Sequence, residues 1–162
     1  MILDSGDRTQ FPTGAVRDLR VGKGRMDLCP LDVFAEYIES DTLRFIDDYT
    51  HSGDRDYLWH AITAFCLERK WDIYTAIIEV SKHYEEGCAK YGDFNWQKGI
   101  YLHCYIDSAA RHYIKWRRGD NDEPHDRAVI WNLLGAIWTD KHLPEMQDIQ
   151  TIPQGKATSD GK

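Results

Sequence analysis

Positive charge is what this chain has least of. Its 20 Lys and Arg stand against 27 Asp and Glu over 162 residues, a net charge of −7. That balance disfavours duplex nucleic acid as a partner, because a polyanion is held by clustered Lys and Arg. A nucleotide, which needs only a few local cations or a metal, stays open. Cysteine is sparse: Cys29, Cys66, Cys88 and Cys104 form no C-x-x-C pair, which excludes a zinc knuckle or a dithiol redox motif. Cys88 reads as a small buried hydrophobe. No apolar run approaches the ~20 residues of a membrane span, and the first residues lack a signal-peptide apolar segment. A soluble protein in a reducing, cytoplasmic setting is expected, with no membrane partner. Sustained period-two alternation and internal repeats are missing too, which leaves helices as the building material.

What is present argues for a folded domain: 42% hydrophobic residues, six Trp and nine Tyr. Residues 1–30, broken by Gly6, Pro12, Gly14, Gly22, Gly24 and Pro30, read as an extended N-terminal arm. Its Arg17, Arg20, Lys23 and Arg25 either decorate a solvated loop or form a cationic flap over a phosphate. Pro30 opens a helix with Leu31, Phe34 and Ile38 on one face, and "DTLRFIDDY" prolongs it or forms a second one. Further helices are expected over "YLWHAITAFCLER", from Trp71 to Tyr91 with Gly92 as the stop, from Tyr101 to Trp116 with Gly119 beyond, and from "DNDEPHD" through Trp138. The predicted fold is all-α. Residues 31–149 form one helical domain, and a flexible, disordered tail starts at residue 150.

The polar positions on these helices suggest chemistry. In "HYEEGCAKYGDFNW", adjacent Glu85 and Glu86 point about 100° apart. Ile77, Val80, Tyr84, Cys88 and Tyr91 form an apolar stripe, with Glu79, His83, Glu86 and Lys90 nearly opposite as a solvated face. Glu85 lies beside the apolar stripe in a column with Ile78, Ser81, Ala89 and Gly92. It is therefore expected to aim at an interior space, where a carboxylate needs a cation. Asp107 sits similarly on the next helix, though with Arg111 it also makes an i,i+4 pair. His112, beside aromatics, reads as a packed core residue. Asp122, Glu123 and Asp126 occupy a helix N-terminus, where acids cap N–H groups, and Asn132 is a buried amide that needs partners. One interhelical site built from Glu85, Asp107 and some of Asp122, Glu123 and Asp126 accounts for these acids together. Oxygen-rich ligation of this kind suits Mg²⁺ or Mn²⁺.

The stretches "HYEEGCAKYGDFNWQKGI", "LHCYIDSAARHYIKWRRGDNDEPHDRAVIWNLLGAIW" and "SGDRTQFPTGAVRDLRVGKGRMDLCPLD" resemble the phage dATP/dGTP pyrophosphohydrolase family, a MazG-like all-α group. The likeness is interrupted by a helical insertion near residues 40–71. It is similar in particular to the MazG-like enzyme of phages that replace adenine with 2-aminoadenine. The resemblance implies a MazG-like bundle that hydrolyses a purine (deoxy)nucleoside triphosphate to monophosphate and pyrophosphate. It also implies two or more Mg²⁺ or Mn²⁺ ions and a homodimer or homotetramer. Glu85 matches a MazG metal-ligand position, and Asp107, His125, Asp126, Asn132, Asn95 and Trp96 match residues typical of the phage subgroup. Together with the helix faces read above, Glu85, Glu86, Asp107 and Asp126 are expected as catalytic residues and these four with Asp122 as metal ligands. Arg17, Lys23, Arg25, Lys90, Asn95, Trp96, Arg111, His112, His125 and Asn132 are expected substrate contacts, and Glu86 or His83 is the expected general base. The sequence departs from the family's E-x-x-E, since Lys82 stands three residues before Glu85, and no E-x-x-D surrounds Asp107. Two other readings compete. An HD-type phosphohydrolase would use His103 or His112, His125, Asp126 and Asp140. A catalytically silent helical module would bind a nucleotide or a protein.

Overall fold

A computed structural model of the chain describes residues 6–149, so the tail expected from residue 150 lies outside the described residues. Six α-helices follow a short hairpin among these residues: α1 (Leu31–Tyr37), α2 (Asp41–Ser52), α3 (Asp56–Arg69), α4 (Ile73–Tyr91), α5 (Leu102–Arg118) and α6 (His125–His142). The all-α expectation holds. "DTLRFIDDY" forms its own helix because Glu39 turns to φ 53° and Ser40 caps the new start, its Oγ accepting from Leu43 N–H at 3.1 Å. Asp72 caps α4 in the same way, accepting from Thr75 N–H at 2.9 Å. Gly53 and Gly119 close α2 and α5 in the left-handed region, at φ 71° and 88°.

Helix α5 is the axis of the molecule. Leu102, Tyr105, Ile106, Ala109, Ala110 and Tyr113 are fully buried on it, and its longest contact is with α6. Gly135 of α6 is what permits that approach: a Cβ there would stand 2.4 Å from the Tyr105 ring. Helices α1, α2 and α3 pack in sequence on one side, and α4 lies against α6 on the other.

The arm is not wholly extended. Strands β1 (Arg8–Gln10) and β2 (Val16–Asp18) pair antiparallel with Thr9 opposite Arg17. Three-residue strands are too short to show alternation in sequence. A tertiary contact holds them instead: the Asn95 side chain accepts from Val16 N–H at 2.9 Å and donates to Val16 C=O at 2.8 Å. Further along, Met26 N–H donates to Asp107 Oδ1 at 2.7 Å, which ties the arm down onto α5.

The orientation of α4 corrects the sequence reading. Glu85 and its column of Ile78, Ser81, Ala89 and Gly92 are exposed, whereas His83, expected on a solvated face, is buried with Ala76 and Val80. Apolar residues occupy more than one side of α4, so periodicity alone could not fix its rotation about its axis. Aromatic packing decides it. His83 and Tyr84 meet Trp131 at centroid distances of 5.7 and 5.9 Å, and Tyr84 meets Trp96 at 5.7 Å. Ile77 and Ile78 are left 55% and 60% exposed.

Candidate active site

Between the arm and helices α4, α5 and α6 lies a cavity of about 1070 Å³. Such a volume suits a nucleotide-sized ligand. One wall is aromatic and apolar, made by Phe11, Tyr84, Tyr91, Trp96, Ile100 and Trp131. The other is polar and largely cationic, with Arg17, Lys23, Arg111 and Lys115 facing His112, Glu123 and Asn132.

Arg17 reaches inward from β2. Its Nη2 donates to Asn132 Oδ1 at 3.0 Å and Ser108 Oγ at 3.2 Å, and its guanidinium lies over the rings of Tyr105 and Trp131 at 5.4 and 5.7 Å. Its Nη1 is buried without a partner among the described residues, as is His83 Nδ1. Arg111 Nη2 donates to the same Ser108 Oγ at 3.1 Å, so two guanidiniums share one hydroxyl. Of the two, among the described residues, Arg111 has a carboxylate partner, Asp107 Oδ2 at 2.7 Å. Burial, opposed by Asp18 and reinforced by Arg111, pulls the Lys23 ammonium below its usual range. Arg17 and Lys23 together bring positive charge to the cavity, which favours an anionic ligand.

Two histidines meet at the cavity's margin, His112 lining it and His125 buried behind. His112 of α5 and His125, the first residue of α6, place their Nδ1 atoms 2.9 Å apart, and each lies 3.6 Å from Glu123 Oε1. Burial first, then Arg111, holds the His112 imidazole well below its ordinary pKa. Pro124 stands at the N-cap without a side-chain bond, and Asp126 Oδ1 accepts from the first-turn Arg127 N–H at 2.9 Å. Asp122 and Glu123, expected as caps, turn to the histidines instead.

The remaining predicted site residues scatter. Glu85 is outside the cavity, and Glu86 lies 3.6 Å from Arg127 Nη1. Asp107 is fully buried and engaged by Met26 N–H and Arg111. Asp126 pairs with Arg69 at 2.9 Å. The five carboxylates expected around one metal go to separate places: Glu85 is exposed, Asp122 meets His125, and arginines engage Glu86, Asp107 and Asp126. Arg25 lines the cavity but is paired with Asp27 at 2.6 Å, and Lys90 with Asp18 at 2.6 Å. Trp96 stands in the aromatic wall, while the Asn95 amide is given to Val16. The H…HD…D set does not assemble either: His103 pairs with Asp148, Asp140 is 3.7 Å from Arg55, and Asp126 faces Arg69. Ser108, Lys115 and Trp131 went unmarked in the sequence. Ser108 lies in the run "DSAARH", whose small residues were a sign that something large approaches α5.

Groups that could hold a metal are present: the donor atoms of His112, Glu123 and His125 lie within 4.8 Å of one another, as do those of Asp120, Asp122 and His125. The fold and cavity thus define an all-helical protein with a cation-rich, aromatic-walled pocket of nucleotide size. A family model described as dATP/dGTP diphosphohydrolase, N-terminal, matches residues 55–149, more than half of the chain, and the chain belongs to that family. The family description names a hydrolase acting on dATP and dGTP. No curated protein and no solved structure matches the chain. No helix among the described residues is long and apolar enough to cross a membrane.

Proposed function

We propose that this cavity binds a purine deoxynucleoside triphosphate and hydrolyses it to the monophosphate and pyrophosphate. The observation that carries the reading is the Arg17 guanidinium, held by Asn132 and Ser108 against an aromatic wall with Nη1 buried and unpartnered. A half-buried guanidinium with one unmet nitrogen, beside a second guanidinium, favours an arriving phosphate. Arg17, Arg111, Lys23 and Lys115 take the triphosphate, and the purine lies against Tyr84, Trp96 and Phe11. Water adds its oxygen to the α-phosphorus, the α–β bridging P–O bond breaks, and its electron pair leaves on pyrophosphate. The proton of the attacking water passes to solvent.

The positive wall neutralises charge that builds on the leaving pyrophosphate. A divalent ion, Mg²⁺ or Mn²⁺ by family resemblance and two or more per site, would add charge neutralisation and a more acidic bound water. His112, Glu123 and His125 are the residues that fit one. Glu85 and Glu86 lie outside the cavity, and we assign them no contact with substrate. The setting is cytoplasmic, and the pathway is that of phages that replace adenine with 2-aminoadenine, supplied with dGMP. Trp59, Leu67, Ile73, Tyr74, Ile77 and Ile78 are exposed and support assembly as a homodimer or homotetramer.

The test is a nucleotide panel with chromatography of products, with and without divalent cation. Monophosphate plus pyrophosphate from dATP or dGTP is expected. Release of intact triphosphate would indicate HD-type chemistry, and binding without turnover would indicate a silent module. Arg17→Met keeps the apolar contacts of the side chain but loses a charged hydrogen bond, so KM rises about tenfold or more. Unchanged KM would remove the observation on which the reading stands.

A further inference from the structure

We infer that His112, Glu123 and His125 form a two-imidazole, one-carboxylate metal site that takes a borderline divalent ion of the Mn²⁺, Fe²⁺ or Zn²⁺ class in preference to Mg²⁺, with Asp122 as its positioning residue. Donors about 2.1 Å from a common ion stand about 3.0 Å apart at right angles and about 3.4 Å apart at the tetrahedral angle. The observed triangle is 2.9 Å between the two Nδ1 atoms and 3.6 Å from each to Glu123 Oε1.

A carboxylate also stands behind one of the rings: Asp122 Oδ1 accepts from His125 Nε2 at 2.7 Å. The Nδ1 atom of His125 is thereby turned toward His112 Nδ1, inside a residue only 2% exposed. A carboxylate behind a histidine, setting its tautomer and ring angle, is the arrangement that supports metal-bound imidazoles. Both histidines stand on helices joined by the short turn at Gly119–Pro124, which limits their movement apart.

The donor set decides the ion. Mg²⁺ demands oxygen ligands and gives up water reluctantly, whereas imidazole nitrogen favours later first-row ions. The alternative group of Asp120, Asp122 and His125 is more exposed, and Arg118 already engages Asp120. Glu123 lines the cavity, so an ion here faces the triphosphate wall. The ion's part in turnover rests on the hydrolase reading above; its binding does not.

The experiment uses the full chain stripped with a chelator, then titrated with Mn²⁺, Zn²⁺ or Mg²⁺ by calorimetry. Pulsed electron paramagnetic resonance on the Mn²⁺ form supplies the second readout. One tight Mn²⁺ or Zn²⁺ per chain, with ¹⁴N couplings from two imidazoles and weak competition by Mg²⁺, is expected. His112→Gln and Glu123→Gln should each lose that binding while circular dichroism stays native. Asp122→Asn should keep both nitrogen couplings but weaken affinity about 10–100-fold. Mn²⁺ bound without nitrogen couplings, no binding of Mn²⁺ or Zn²⁺, or wild-type affinity in His112→Gln each overturn the site. Binding as described without hydrolysis of any nucleotide upholds the metal site and overturns the hydrolase reading.

Discussion

Replacing Gly135 by alanine adds one methyl group at the closest approach of α5 and α6, and its effect can be worked from distances. The new Cβ would meet Tyr105 Cε1, Cζ and Cδ1 at 2.4, 2.8 and 2.9 Å. Ordinary contact between carbons is about 3.5–4.0 Å, so the ring has to recede by roughly 1 Å. Tyr105 is fully buried and cannot swing into solvent. Overpacking of this kind costs about 1–3 kcal/mol, and alanine returns up to about 1 kcal/mol of helix propensity. The net expectation is a loss of about 1–2 kcal/mol, or a Tm roughly 3–6 °C lower for a domain of this size. Because the Tyr105 ring lies under Arg17, the displacement should also raise KM for the nucleotide more than it lowers kcat. Scanning calorimetry and urea unfolding measure the first effect, and steady-state kinetics the second. A variant as stable as the wild type or more so would mean that Tyr105 does not occupy this place. The α5–α6 contact, and the Arg17 platform built on it, would then be misassigned.

Burial, then the charges of Arg127 and Arg17, lowers the His83 pKa from 6.5 to about 4, so the folded chain keeps this ring neutral while the unfolded chain protonates it. Stability from this residue is complete above pH 6.5 and is lost as pH falls toward 4, by about 3 kcal/mol; His83→Phe should flatten urea midpoints over that window. At the other end of the scale, the hydrogen bond with Asp148, then Cys104, raises His103 to about 9. That contribution is present below pH 6.5 and fades as pH rises through 9. The pair is partly exposed and is worth no more than about 1 kcal/mol, and Asp148→Asn should abolish the alkaline loss in thermal melts. Asn95→Leu removes both contacts to Val16 and should free the hairpin, read as faster amide exchange at Val16 and Arg17 and weaker nucleotide binding. Turnover should survive Glu85→Gln to within about twofold but not Glu123→Gln, a comparison that decides between the exposed and the cavity carboxylate.

Local chemistry made much of this protein legible in advance. Helix ends at Gly92 and Gly119 and the Asp107–Arg111 pair all depend on neighbours within a turn or two of chain. Those residues interact before any tertiary contact exists. The rotation of α4 was not legible, because isoleucines on two of its sides satisfy the same periodicity and only the fit of Tyr84 and His83 to Trp131 selects one. Nor was the fate of the acids. A carboxylate near a core face looks the same in sequence whether an ion, an arginine or a backbone N–H will meet it, and Asp107 and Asp126 were taken by arginines.

What the sequence alone determined is an all-helical chain with cations in its arm and acids at its helix starts. Tertiary structure decided which of those groups meet. Packing α5 against α6 across the turn after Gly119 brings His112 and His125 nose to nose, and folding the arm over α5 carries Arg17 to Asn132. Such encounters join residues far apart in the chain, and only the filling of a shared core sets the distances between them.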